Sequence, residues 1–249
     1  MPVALGDVSV IVGASSGIGR ALARALARRD GSVVGIGRNS ERLADTLAEL
    51  RQCGPNGKHR CYALDVSVED DMRRLAGECA AHYGAVDLLV VSAAVSGYEG
   101  LPPATRDLPL AAWQRAIDVN LHGPFLANRA FLPMMLERGQ GDILNICSST
   151  TPHGLRGRPL VPGYSASKFA LAAFTQALAD EVAGSGVRVN ALFPGAVDTP
   201  LIAGTALASA YGGSIDPDNL AEAIVRLLQV TEGASTPDPH MLPMSKPAV

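Results

Sequence analysis

The sequence predicts a doubly wound α/β domain, in which a parallel sheet of about seven strands is flanked by helices. Short β-branched runs alternate with longer helical patterns from the N-terminus onward. The runs have almost no polar interruption, which is typical of strands buried on both faces, and each parallel connection needs a crossover helix. Because no linker-like stretch divides the chain, we expect a single domain over residues 1–249.

Six strands are predicted before residue 200, each an apolar or β-branched run followed by turn residues. They cover residues 8–12, 32–37, 59–64, 86–91, 141–147 and 187–193. Helical spacing of apolar residues predicts helices over 18–29, 40–51 and 68–83, a long one from about 109 to 136, and one from 164 to about 182. The proline-rich tail, about 233–249, favours extended structure with one short edge strand around 241–244.

Composition and charge argue against several classes of function. The chain is 47% hydrophobic and 18% charged, which is enough apolar material for a large core. Its formal net charge is −3 and its basic residues are scattered, so we expect no nucleic-acid partner. The sequence has no apolar run of roughly 18 residues and no basic region before its N-terminal apolar stretch. We therefore expect no membrane association and a cytoplasmic location.

The potential metal ligands have no spacing that predicts a metal site. The four cysteines, Cys53, Cys61, Cys79 and Cys147, form no CxxC pair. The five histidines form no HExxH pattern. We expect reduced thiols and no protein metal site.

The first predicted strand runs into a glycine-rich turn, GASSGIG. Its three glycines have no Cβ, which permits a tight turn and a close approach to a pyrophosphate. The helix that follows points its N-terminal amides at such an anion. A glycine turn between a strand and a helix predicts a dinucleotide site. The residues assigned to it are Gly13, Ser15, Ser16, Gly17, Ile18 and Gly19.

A second motif, GYSASKFALAAF, places Tyr164 and Lys168 four positions apart at the start of a helix. Residues at this spacing lie on one helix face with Cβ atoms roughly 5–6 Å apart. A free tyrosine has a pKa near 10, and a neighbouring ammonium lowers that pKa by favouring the phenolate. The spacing also occurs by chance in many helices, so the pair indicates catalysis only together with the other motifs.

Together these motifs resemble the short-chain dehydrogenase/reductase family of Rossmann-type domains, whose usual patterns are TGxxxGxG and YxxxK. The resemblance covers about residues 5 to 230. It implies that Tyr164 is the general acid/base and that Lys168 lowers its pKa and binds the nicotinamide ribose. It also implies that Ser148, with Ser149 as the fallback, bonds the substrate oxygen. Asn120 would hold a water that links Lys168 to solvent.

The predicted cofactor is NADP(H), with NAD(H) kept as an alternative. The second strand ends in VVGIGRN, so that Gly37 stands where an NAD-preferring fold has an acid, and Arg38 follows it. A guanidinium there could pair with a 2′-phosphate, which a carboxylate would repel. The resemblance implies that Asp65 and Val66 of LDVS contact the adenine, and that Ala93 also lines the cofactor site.

The segment NALFPGAVDTP, after the sixth strand, resembles the Pro-Gly segment of the same family. The resemblance implies that Pro194 and Gly195 shape the turn beside the nicotinamide. The Val197 backbone and the Thr199 hydroxyl would fix the carboxamide, which is a positioning role.

Two loops rich in glycine, proline and small residues, 153–163 and about 199–217, are expected to line the substrate pocket. Their composition favours an apolar or modest-sized carbonyl compound. Arg156 or Arg158 could meet an acidic group of the substrate. The family is usually tetrameric or dimeric through its long central helices, and we expect a homo-oligomer here, a homotetramer or a dimer.

The sequence departs from the family pattern in three places. Val12 replaces the usual threonine, and VSAA at 91–94 replaces NNAG. The loss of two amides would remove hydrogen bonds from the central sheet, and we expect a cost in stability or cofactor affinity. The chain also lacks the usual glycine-rich ending with a final DGG.

Three functions are compatible with the sequence. The first is an NADP(H)-dependent oxidoreductase that interconverts a carbonyl and a secondary alcohol by hydride transfer. The second is a catalytically silent dinucleotide-binding regulator, which the altered segments could indicate. The third is an isomerase or dehydratase on the same fold. The Ser148, Tyr164, Lys168 and Asn120 set favours the first.

Overall fold

Helices cover both faces of a parallel sheet in the computed structural model, which describes residues 7–96, 103–149, 161–203, 213–229 and 240–241. The strands are β1 Val8–Val12, β2 Ser32–Gly37, β3 Arg60–Ala63, β4 Leu88–Val91, β5 Gly141–Ile146, β6 Val187–Pro194 and β7 His240–Met241. Six of them form the body of the sheet, and the two-residue β7 extends it beside β6. The order is β3-β2-β1-β4-β5-β6-β7, with all pairs parallel. The predicted doubly wound α/β class is confirmed.

The helices divide between the two faces as the crossover rule requires. They are α1 Gly17–Ala27, α2 Ser40–Cys53, α3 Glu69–Tyr83, α4 Leu110–Ile117, α5 Gly123–Arg138, α6 Pro162–Glu181 and α7 Pro217–Leu228. One apolar cluster joins the sheet to α1, α2 and α7, and another joins it to α3, α5 and α6. In β1, Val10 and Val12 point to the second cluster and Ile11 points to the first. The side chains of alternate strand residues therefore pack into separate cores on opposite faces of the sheet.

The boundaries of β1 to β6 agree with the predictions within two residues, whereas the long helix, the last strand and the helix after residue 216 differ. The predicted long helix is interrupted by a π-helical turn, Asp118–His122, between α4 and α5. The last strand lies at His240–Met241, so it overlaps the predicted 241–244 by one residue, and residues 242–249 lie outside the described part of the chain.

Helix α7 was not predicted, although the sequence contains a signal for its start. The Asp216 side chain accepts hydrogen bonds from the backbone N–H groups of Asp218 and Asn219, at 2.8 and 3.0 Å. Pro217 occupies the first helical position. An N-cap aspartate followed by proline is a typical helix start.

The carboxyl ends of the strands lie side by side at one edge of the sheet. The amides of Gly13 and Ala14, after β1, donate to Ile36 O of β2 at 2.8 and 2.9 Å. Ser92 N, after β4, donates to Val12 O of β1 at 2.8 Å. The loops that follow these strands are therefore held together at the edge where α/β proteins bind ligands.

Two of the residues that depart from the family pattern, Val12 and Val91, face each other across neighbouring strands. Val12 of β1 is the register partner of Val91 of β4, and each is 1% exposed. Both side chains belong to the same apolar cluster. Exchanging both members of a polar pair for apolar groups can be nearly neutral, because no buried polar group is left unpaired. The two valines thus leave no unpaired polar side chain at this pair of positions, and the expected loss of stability stays a prediction.

We expect Val12→Thr and Val91→Asn each to lower the free energy of unfolding by about 1–3 kcal/mol, because each buries a polar group beside an apolar partner. The double variant should lose less than the sum of the single losses. Urea unfolding of the four proteins provides the measurement. Val34→Thr on β2 is the control. Because β1 separates β2 from β4, its loss of free energy of unfolding should add to that of Val91→Asn. Simple additivity for Val12 and Val91 would contradict the coupling.

Candidate active site

The glycine turn after β1 is packed too tightly for side chains. Gly13 has a φ of +96°, and a Cβ there would lie 2.6 Å from Ala93 N. A Cβ on Gly19 would lie 2.3 Å from Gly13 O. Gly17 has a φ of +54°, and its Cβ would lie 2.9 Å from Thr199 Cγ2. The turn therefore requires glycine at these positions, and it adjoins the predicted cofactor residues Ala93 and Thr199.

The N-terminus of α1 is suited to an anion such as a pyrophosphate. The bond from Arg20 N to Ser16 O, at 3.2 Å, leaves the amides of Gly17, Ile18 and Gly19 at the free end of the helix. Within the described residues, Ser16 makes no side-chain capping bond, and the first turn has no acidic residue. The positive end of the helix dipole is therefore directed at the space beside the turn. These residues fit a dinucleotide pyrophosphate.

Thr46 of α2 supports the glycine turn and was missed in the sequence. Its buried hydroxyl bonds Ala14 O at 3.2 Å and Arg42 O at 2.8 Å. On the other side of the turn, a Cβ on Gly37 would lie 3.0 Å from Ser15 Oγ. The end of β2 is thus in contact with the turn, as an adenosine subsite requires. A threonine inside a helix carries no sequence signal for this role.

Arg38 and Asp65 are close enough to interact at the ends of β2 and β3. The Asp65 carboxylate accepts from Ser67 N at 3.0 Å and from Ser67 Oγ at 2.7 Å. Burial acts to raise the pKa of Asp65, but the Ser67 bonds and the guanidinium groups of Arg38 and Arg115 outweigh it, so the pKa is lowered. Arg38 is exposed. Its positive charge is therefore available to a ligand at this end of the site.

Tyr164 and Lys168 lie in the first two turns of α6, next to the end of β5. Lys168 is 2% exposed, and its Nζ donates to Ile146 O at 2.7 Å. The same Nζ lies 6.0 Å from the centroid of the Tyr164 ring. Burial lowers the pKa of Lys168 to about 8, and the nearby Cys147 opposes that shift. The structure thus brings the predicted pair together.

The two candidate serines follow Cys147, the first residue after β5, and both are buried. Ser149 N donates to Pro194 O at 2.9 Å, which places the serines beside the end of β6. Lys168 bonds the strand two residues before Ser148. Ser148, Lys168 and the Pro-Gly segment therefore converge at one edge of the sheet. The preference for Ser148 over Ser149 stays a prediction.

The segment after β6 forms the base of the predicted substrate loop. Val197 is buried and pairs with Ile215 in an isolated parallel bridge, while Gly195 and Thr199 are partly exposed. Ile215 N donates to Ala196 O at 2.8 Å, which closes the two ends of the loop. Residues 204–212 and 150–160, including Arg156 and Arg158, lie outside the described residues.

Asn120 lies in the π-helical turn and is fully buried. Its Oδ1 accepts from Val95 N at 2.8 Å, and its Nδ2 donates to Val95 O at 2.9 Å and to Ser167 Oγ at 3.1 Å. Val66 reaches this region from the end of β3, because a Cβ on Gly123 would lie 2.7 Å from Val66 Cγ1. The Asn120 side chain thus ties together the segment after β4, the π-helical turn and α6.

The described residues contain neither a candidate metal site nor a candidate membrane-spanning helix. No group of three or more His, Cys, Asp or Glu side chains there could hold a metal ion. None of the helices in this part of the chain is long and apolar enough to cross a membrane.

The fold and the site define a dinucleotide-binding enzyme whose tyrosine and lysine stand at the cofactor edge of a doubly wound sheet. Residues 7–208 match the family model described as short chain dehydrogenase. The chain belongs to the short-chain dehydrogenase family and is an oxidoreductase of that family.

Three relatives illustrate this membership. The chain is 38% identical over 230 residues to a cis-4-hydroxycyclohexanecarboxylate dehydrogenase of Sinomonas cyclohexanicum, covering 88% of each. It is 36% identical over 197 residues to a 2-dehydro-3-deoxy-L-rhamnonate dehydrogenase (NAD(+)) of a Sphingomonas species, covering 79% of this chain and 74% of the relative. An alcohol dehydrogenase from the archaeon Thermococcus sibiricus, solved with 5-hydroxy-NADP, superposes with a TM-score of 0.84 at 28% identity, over 98% of this chain and 99% of that one. The regulator and isomerase alternatives are not favoured.

Proposed function

We propose that this protein is an NADP(H)-dependent dehydrogenase/reductase that interconverts a small carbonyl compound and a secondary alcohol. The observation that carries the proposal is the buried Lys168 ammonium, bonded to Ile146 O and 6.0 Å from the Tyr164 ring centroid. Burying an ammonium is unfavourable, and such groups are concentrated at functional sites. This one lies at the sheet edge that carries the dinucleotide turn.

In the reducing direction, the Tyr164 hydroxyl donates its proton to the substrate oxygen, and in the oxidising direction the phenolate accepts a proton from the alcohol. The Ser148 hydroxyl donates a hydrogen bond to the same oxygen. Lys168 stabilises the phenolate by its charge and binds the ribose hydroxyls. A bound nicotinamide would supply or accept the hydride, which balances the proton moved by Tyr164. The small and apolar residues of the loops favour an apolar or modest-sized substrate.

Asn120 has a defined place in this scheme. Both N–H groups of its amide are engaged, by Val95 O and Ser167 Oγ. A water that links Lys168 to solvent would therefore bind an oxygen of Asn120 rather than its side-chain nitrogen. The same side chain holds the segment after β4, close to where Ala93 meets the glycine turn.

The preference for NADP(H) over NAD(H) is inferred from the positive charge of Arg38. The α1 amides bind the pyrophosphate, Arg38 binds the adenosine 2′-phosphate, and Asp65 and Val66 contact the adenosine. The solved relative from Thermococcus sibiricus, with its bound NADP derivative, supports this assignment. One relative carries NAD(+) in its name, so the cofactor preference of this chain has to be measured.

The activity is tested by following absorbance at 340 nm with the full chain, NADPH or NADH, and a panel of ketones and aldehydes. We expect NADPH consumption with at least one apolar carbonyl compound, and reduction of NADP by the matching alcohol. NADPH binding measured by fluorescence, without consumption across the panel, would overturn the proposal in favour of a binding protein.

Arg38→Ala should raise the KM for NADPH about tenfold or more and leave the KM for NADH within about twofold. The reason is that a charge-assisted contact contributes about 1.5–3 kcal/mol and only NADPH carries the 2′-phosphate. Steady-state kinetics with both cofactors measure this. Arg51→Ala, at the exposed far end of α2, is the matched control and should change neither KM. A wild-type preference for NADH would show that the assignment is wrong.

We also propose that the chain forms a homo-oligomer, a dimer or tetramer, through the exposed side of α5 and α6. Phe125 and Leu136 on α5 are each 40% exposed, which is high for large apolar side chains. The Phe125 ring meets Phe174 of α6 with centroids 6.0 Å apart, so the apolar surface spans both helices. Light scattering of the purified chain gives its mass in solution, and a monomeric mass would contradict the proposal.

A further inference from the structure

Ser167, the fourth residue of YSASK, has no part in the proposed reaction, yet it is 0% exposed and hydrogen bonded on both sides. Its Oγ accepts from Asn120 Nδ2 at 3.1 Å and donates to Tyr164 O at 2.8 Å. Asn120 is itself bonded to both backbone groups of Val95. A continuous chain of hydrogen bonds therefore runs from the end of β4, through the π-helical turn, to the residue that carries the phenol.

The first turn of α6 depends on lateral contacts of this kind. In the described structure its N-cap, Val161, makes no side-chain capping bond, because valine has no acceptor. The packing of this turn against α4 is apolar: a Cβ on Gly163 would lie 3.3 Å from Ala116 Cβ and 3.5 Å from Trp113 Cε3. Ser167 thus supplies the turn with a directional contact that apolar packing does not provide.

We propose that Ser167 is a positioning residue: its hydroxyl locks the first turn of α6 to the π-helical turn and thereby places the Tyr164 phenol and the Lys168 ammonium. The proposal rests on the proposed function of these two side chains. Both side chains lie in the first two turns of α6, which Ser167 holds, whereas Ser148 lies in the segment after β5 and would not move with them. Catalysis is sensitive to misplacement of this kind, and about 1 Å can cost a hundredfold in rate.

Thr175 provides a matched control two turns further along the same helix. It is buried, its Oγ1 accepts from Asn145 Nδ2 at 3.1 Å, and it donates to Leu171 O at 2.7 Å. Like Ser167, it therefore joins a buried asparagine amide to a carbonyl of α6. Its distance along the helix from Tyr164 separates a positioning effect from a general loss of helix packing.

The experiment compares Ser167→Ala with Thr175→Val in the full chain. We expect Ser167→Ala to lower kcat about tenfold or more, with the Kd for NADPH within about threefold of wild type. Thr175→Val should lower the melting temperature by a similar amount but leave kcat within about twofold. Ser167→Cys, which keeps a weak donor at the same place, should fall between the wild type and Ser167→Ala and serves if the alanine variant does not fold.

A second readout does not depend on activity. Amide hydrogen exchange should become faster in peptides covering residues 162–168 of Ser167→Ala and not in those of Thr175→Val. Equal losses of kcat in the two variants, or unchanged kcat and exchange in Ser167→Ala, would overturn the positioning role. A wild type that consumes no NADPH would refute the proposed function instead, and in that case the exchange data still decide whether Ser167 holds the turn.

Discussion

Tyr164→Phe is expected to lower kcat by about a hundred- to ten-thousandfold, which is the usual contribution of a general acid/base. The substitution removes the proton that the substrate oxygen takes up, while the ring remains half-buried against the lysine. We expect the Kd for NADPH to stay within about threefold of wild type. Stopped-flow measurement of one turnover, with saturating NADPH and the best carbonyl of the panel, isolates the chemical step.

Tyr83→Phe is the control for this prediction. The Tyr83 hydroxyl donates to Lys58 O at 2.6 Å, at the end of α3, outside the site. Its loss should leave kcat unchanged. If Tyr164→Phe retained more than about a tenth of the wild-type kcat, the proton would have to come from another donor, and the assignment of Tyr164 would be wrong.

Lys168→Met is expected to abolish most of the activity and, at the same time, to stabilise the protein at neutral pH. The lysine pKa falls from 10.5 to about 8 on folding because burial disfavours the charged form. A shift of this size corresponds to a penalty of about 3 kcal/mol for folding with a charged lysine. Methionine fills a similar volume without carrying a charge into the core.

The pH dependence of stability tests whether the buried charge of Lys168 is what destabilises the wild type relative to Lys168→Met. Because the folded pKa lies below the unfolded one, the unfolded chain binds more protons between about pH 8 and pH 10.5, and wild-type stability rises across that window. The advantage of Lys168→Met should therefore be about 3 kcal/mol larger at pH 7 than above pH 10.5. Urea unfolding in the absence of cofactor, at a series of pH values, measures it.

Lys58→Met, at an exposed position, is the control and should show no such change with pH. An advantage of Lys168→Met that stays constant from neutral to alkaline pH would mean that folding does not shift the pKa of Lys168, and that burial of its charge carries no cost.

Features that depend on neighbouring residues in the chain could be predicted from the sequence. The strands are runs of β-branched residues, and their consecutive apolar positions predict burial on both faces of the sheet. The glycine turn follows β1 directly, and the spacing of Tyr164 and Lys168 places both on one helix face by geometry alone. The order of these motifs along the chain then assigns the family.

The interruption of the long helix could not be predicted in this way. A π-helical turn adds one residue to a turn without changing the overall apolar character of the segment. The contacts that hold it come from elsewhere in the chain: the Asn120 amide is bonded to the backbone of Val95 and to Ser167. Similarly, the sequence shows Val12 and Val91 as two separate departures from the family pattern, and only the register of β1 against β4 shows that the two residues are partners.

By itself the sequence determined the class of fold, the dinucleotide turn and the candidate proton donor. Each of these depends on the spacing of residues close together in the chain, or on the backbone conformations that a single residue such as glycine can adopt. Only the tertiary structure showed that Lys168 is buried and bonded to Ile146 O. It also showed that Ser167 is bonded to Asn120 and that Thr46 is bonded to Ala14 O of the glycine turn. These contacts join residues of separate elements, and hydrogen bonds and burial between such residues arise only when the sheet brings them together.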